Sequence, residues 1–136
     1  MKIFILTIVA IFGITSVAST QRIETLTLRV GQERAADRGN IKVKFISVIE
    51  DSRCPINARC IWAGNAKIKI AVSKGRSAAK TYELNTGLDP HSINAYGYEI
   101  KFVDLTPYPG EGTKSDRVTM VSIPTMAKLS VIRLHR

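Results

Sequence analysis

The sequence predicts an all-β domain, an immunoglobulin-like β-sandwich of about seven strands, with a small β-barrel as the alternative. Three observations point there. Stretches of alternating polarity recur from Gln21 onward, turn-forming residues separate them at intervals of about 8 to 12 residues, and no segment keeps a helical period for three turns. At 45% hydrophobic and 23% charged residues, the 136-residue chain has the composition of one globular domain and excludes disordered, collagen-like and coiled-coil classes.

The first strand runs over Ile23 to Val30, where Leu26, Leu28 and Val30 alternate with Thr25, Thr27 and Arg29; Gly31 and the polar stretch to Asn40 end it. In the second, Ile41, Val43 and Phe45 share one face and Lys42 and Lys44 the other. A change of phase at Ile46, Val48 and Ile49 predicts a bulge or a strand that switches faces. The third reads from Cys60 to Ser73, with Ile68, Ile70 and Val72 opposed to Lys67, Lys69 and Ala71. Lys74 to Ser77 is a turn, and Lys80 to Asn85 completes a hairpin with Tyr82 and Leu84 on one face. Thr86 to Ala95 reads as a loop rich in Gly, Asp, Pro, Ser and Asn. Tyr96 to Leu105 gives a strong strand, with Tyr98, Ile100 and Phe102 on one side. An exposed loop over Glu111 to Asp116 precedes two last strands, Arg117 to Ile123 and Lys128 to Leu134.

Residues 1–18 stand outside this fold. Lys2, the apolar run from Ile3 to Ile14 and the small residues Ser16 and Ala18 form a secretory signal peptide, which leaves residues 19–136 as the single sandwich domain. The competing reading, an uncleaved anchor, needs about 20 apolar residues, and this run is shorter. No cysteine follows it to carry a bacterial lipid anchor, and no later segment has spanning length. The expected location is therefore secreted or periplasmic.

In an oxidising compartment the only two cysteines, Cys54 and Cys60, pair most simply with each other. Such a short loop is worth roughly 2 kcal/mol in the chain-entropy model. A metal centre would have to recruit His91 and His135 from a loop and the C-terminal tail, and a redox pair would normally show Cys-x-x-Cys spacing. No metal and no cofactor are expected.

Around the cysteines lies the most distinctive segment, Glu50 to Ala66. It contains Asp51-Ser52-Arg53-Cys54-Pro55, then Cys60-Ile61-Trp62-Ala63-Gly64, followed by a lysine-rich alternating strand. These strings resemble a pattern of small exported bacterial proteins and lipoproteins, largely uncharacterised, and Tyr98 to Pro109 is similar to a second part of the same pattern. The resemblance implies export and no particular activity. Read from the residues, the segment is a pinned connection between strands: Pro55 fixes φ, Gly64 permits a backbone path or a close approach that a side chain would block, and Asp51 and Ser52 accept turn hydrogen bonds. Arg53 and Arg59 are candidates to pair with Asp51 or to protrude, and Trp62 can bury a large apolar area with its indole N–H bonded. Beside that architectural reading stands a ligand or partner site built from Asp51, Arg53, Arg59 and Trp62.

For catalysis the supply is poor. His91 lies in a polar loop, His135 beside the C-terminus, and the adjacent carboxylates Glu50 and Asp51 would point to opposite faces of a strand. No phosphate loop, dinucleotide fingerprint, zinc-hydrolase helix or calcium loop is present. The chain is therefore expected not to be an enzyme. Its formal charge of +9 concentrates in part on Lys42, Lys44, Lys67 and Lys69, which form a positive face if their strands are neighbours. That face suits an anionic envelope component or an acidic protein; alternatively it serves solubility. Aromatic residues do not interleave with these lysines, so nucleic acid is not an expected partner. The function these readings favour is an exported, non-catalytic binding or envelope-associated module, with a secreted hydrolase inhibitor acting through the Cys54–Cys60 loop as the alternative.

Overall fold

The computed structural model describes residues 21–111 and 123–135. Alternating residues from eight strands meet in one apolar layer between two antiparallel sheets of four strands each. The first sheet has the order β1 (Ile23–Arg29), β8 (Met126–Arg133), β7 (Tyr98–Thr106), β6 (Ser92–Ala95). The second has the order β2 (Glu33–Ala36), β3 (Ile41–Asp51), β4 (Ala66–Lys74), β5 (Lys80–Asn85). The chain crosses between sheets after β1 and again after β5. The architecture is a β-sandwich of the expected class, and the strands do not close into a barrel.

Burial follows the alternation read from the sequence. Leu28 of β1, Ile41, Val43 and Phe45 of β3, Ile68, Ile70 and Val72 of β4, Ile100 of β7 and Leu129 of β8 have no exposed surface. The β-branched and aromatic side chains at period two make each strand a half-buried surface that requires a second sheet to cover it. The predicted phase change in the second strand is real: β3 breaks register with β4 between Phe45 and Ser47 and again between Val48 and Glu50. Val103 faces outward by the ordinary alternation, and a further register shift between Phe102 and Asp104 returns Leu105 to the core.

Two strands were not expected. β2 falls in the polar stretch after Gly31, and β6 in the segment read as a loop; their buried positions are small, Ala36 and Ala95. The third predicted strand also starts later, at Ala66 and not Cys60, because residues 60–65 form a loop folded back on residues 52–54. The expected strand from Arg117 lies outside the described residues up to position 122, and Ile123 is not in a strand. Among the described residues no helix is long and apolar enough to cross a membrane.

Candidate functional site

At one end of the sandwich β3 passes into β4 through residues 52–65. The ladder does not stop where the strands do: Ser52 N–H donates to Asn65 O at 2.7 Å and Cys54 N–H to Ala63 O at 3.1 Å. Gly64 makes this closeness possible, since a Cβ built on it would lie 1.9 Å from Ser52 O and its φ is +75°. A second glycine continues the contact, because a Cβ on Gly87 would come within 2.4 Å of Gly64 O. Asn65, also buried, donates through Nδ2 to Asn85 Oδ1 at 2.9 Å and accepts the Gly87 N–H at 3.0 Å. The base of the loop is thus tied both to itself and to the segment after β5.

Beneath the loop lies Arg53, only 7% exposed. Its Nε and Nη2 donate to Asp51 Oδ1 and Oδ2, each at 2.8 Å, in the two-pronged geometry that suits a guanidinium and a carboxylate. Nη2 also donates to Pro107 O at 3.0 Å and Nη1 to Leu105 O, while Asp104 Oδ1 lies 3.6 Å from Nη1. The Tyr108 ring stacks 4.3 Å from the guanidinium carbon. Hydrogen bonding to Arg53 holds the Asp51 carboxyl below the usual carboxylate range, and the same contact raises Arg53 above its ordinary value. Arg53 therefore links the end of β3 to the end of β7 as a charged staple whose donors all face partners. It does not protrude.

Cys54 and Cys60 are bonded as expected, with Cα atoms 5.8 Å apart. The residues they enclose, and the two that follow Cys60, have the opposite character from the base. Ile56 is 64% exposed, Ile61 97% and Trp62 81%, and Arg59 is exposed without a hydrogen bond or ion pair among the described residues. Trp62 was expected to bury apolar area with its indole N–H bonded; instead it projects, with no such bond among the described residues. Gly64 holds the returning chain against Ser52, and residues 61–62 lie on its outer side. Exposed Val103 and Tyr108 stand near the foot of the loop, where a cavity of about 350 Å³ is lined by Arg53, Gly64, Thr86, Gly87, Asp104 and Tyr108.

The four predicted lysines share the outer face of β3 and β4, which are neighbours. The face is not uniformly positive. Glu33 opposes Lys44 and approaches Lys42 to 4.0 Å, Glu50 opposes Lys67, and Glu83 opposes Lys69. Elsewhere, His91 Nε2 lies 3.5 Å from Asp89 Oδ1, while the neighbouring Ser92 hydroxyl donates to Glu99 Oε1 at 2.9 Å. No cluster of metal-ligating side chains occurs among the described residues.

Fold and site together define a β-sandwich carrying one disulfide-braced loop with an apolar tip. Compared with known proteins, the chain matches no family model, no curated protein and no solved structure.

Proposed function

We propose that this chain is an exported, non-catalytic binding module whose contact surface is the tip of the Cys54–Cys60 loop together with Trp62. The observation that carries the reading is the contrast within the segment: large apolar side chains exposed on a backbone fastened by a disulfide, a buried arginine paired with Asp51 and close glycine contacts. Such rigidity reduces the ordering entropy lost on binding, and Trp and Ile projecting from a fixed frame are the anchors that dominate protein interfaces. The partner that fits is a protein with a concave apolar pocket. Among such partners a hydrolase cleft is the case that the inhibitor reading describes, because a narrow convex loop fills a cleft better than a flat surface does. The mixed charge on the lysine face supports an auxiliary role for Lys42, Lys44, Lys67 and Lys69 in solubility and steering, ahead of a primary anion contact.

A photo-crosslinker placed at position 61 of the mature, oxidised protein, with a second preparation carrying it at position 44, tests this against envelope and extracellular fractions. The reading predicts a discrete crosslinked protein from position 61, lost when Trp62 is also changed to alanine and retained when the four lysines become glutamine. Crosslinks formed only from position 44, or binding to vesicles of anionic lipid that disappears at high salt with the lysine variant, would overturn it.

A further inference from the structure

At the other end of the sandwich, where β3 begins, a cavity of about 270 Å³ opens between β1, β8 and the turn after β2. Its lining includes Arg22, Arg38, Arg133, Glu24 and Asp37, with Tyr98 and Val131 among the less polar residues. We infer that this cavity is a binding site for a tetrahedral oxyanion group, such as a phosphate or sulfate ester, held by the guanidinium groups of Arg22, Arg38 and Arg133.

The carboxylates are already engaged within the wall. Glu24 Oε2 accepts the Asp37 N–H at 2.8 Å, and Asp37 Oδ2 accepts the Tyr98 hydroxyl at 2.5 Å and faces Arg133 Nη1 at 3.5 Å. Two of the three arginines are not, Arg133 being paired with Asp37. Arg22 and Arg38 make no hydrogen bond and no close ion pair among the described residues, although Asp37 feels the charge of Arg38 from a longer distance. Three guanidinium groups thus face two carboxylates in this lining.

The backbone adds an independent observation. Asp37 and Arg38 both have positive φ, +47° and +57°, a conformation disfavoured for residues with a Cβ. Glycine would satisfy this turn without strain, so its occupation by an arginine with no hydrogen bond or close ion pair among the described residues points to a ligand for that side chain. Planar guanidinium forks match the oxygens of a tetrahedral oxyanion better than ammonium groups do. The volume suits one such group or a small ester, below the usual range for drug-sized ligands.

Sulfate, which keeps its double charge from pH 5 to 8, is the probe. Titrating sodium sulfate into the mature, oxidised protein at constant ionic strength, with amide NMR as the readout, should produce saturable shifts at Asp37, Arg38, Gly39 and Arg133. Inorganic phosphate should compete for the same residues. Replacing Arg22 by Gln and Arg38 by Gly should weaken sulfate at least tenfold, and the glycine should leave the fold intact because φ is already positive. The pair Lys42→Gln and Lys44→Gln, with the same loss of charge, should leave affinity unchanged. Shifts that never saturate, equal weakening by the lysine pair, or acetate binding as tightly as sulfate would each overturn the assignment.

Discussion

The base and the tip of the Cys54–Cys60 loop differ in almost every physical respect although they are only a few residues apart. At the base, Ser52, Arg53, Gly64 and Asn65 are packed and hydrogen-bonded, and Arg53 and Asn65 are buried. At the tip, Ile56, Arg59, Ile61 and Trp62 project into solvent. The comparison teaches that conformational stability and recognition are assigned to different residues of one short segment. A frame that depends on none of its tip side chains can present them without rearranging, and changes at the tip should be thermodynamically quiet where changes at the base are not.

The largest effect should come from Gly64→Ala. The added methyl collides with Ser52 O and sits at positive φ, so the ladder between residues 52 and 65 has to separate; a loss of about 4 kcal/mol in chemical denaturation is expected. A loss under about 1 kcal/mol would remove the close approach from the account.

Next comes Arg53→Met, which keeps much of the volume but leaves Asp51 with only the main-chain N–H of residue 53 and removes the guanidinium donors from two main-chain carbonyls. About 3 kcal/mol should be lost at pH 7. The pH dependence sharpens the point. Folded Asp51 binds its proton less readily than the unfolded chain does, whose Asp titrates near pH 3.9. Its contribution is therefore present above that value and disappears as pH falls through the lower folded pKa. Wild-type stability should decline across this acid range, and Asp51→Asn should flatten that part of the profile.

Opening the disulfide with Cys54→Ser and Cys60→Ser removes a restraint on the unfolded chain worth about 2 kcal/mol, since the closed loop is short. The smallest effect belongs to Ile61→Ala with Trp62→Ala, which should change stability by less than about 0.5 kcal/mol. Trp62→Ala alone should abolish the crosslink formed from position 61. If the double change destabilises the fold instead, the division between base and tip fails.

Much of the sandwich was legible because its central strands are written in large side chains. Ile41, Val43 and Phe45, Ile68, Ile70 and Val72, and Ile100 and Phe102 repeat at period two, and the last two runs stop before Gly75 and Pro107. β2 and β6 were not legible, since each is four residues long and the residue it buries is an alanine, too small to mark an alternation. The disulfide and the need for Gly64 could be read from spacing and residue type. The burial of Arg53 could not: its partners include the main-chain oxygens of Leu105 and Pro107, more than fifty positions away, and carbonyls leave no trace in side-chain patterns. Trp62 misled for a related reason. Apolar character says that a side chain gains by leaving water, but not whether the backbone directs it inward or toward a partner.

Trp62 is the chain's sole tryptophan, so its fluorescence tests the central claim without interference. Acrylamide quenching of the oxidised protein should be nearly as efficient in buffer as in strong denaturant, with an emission maximum close to that of free tryptophan in both. Emission at short wavelength in the folded state, protected from quencher and exposed only on unfolding, would place the indole inside the fold and contradict the account.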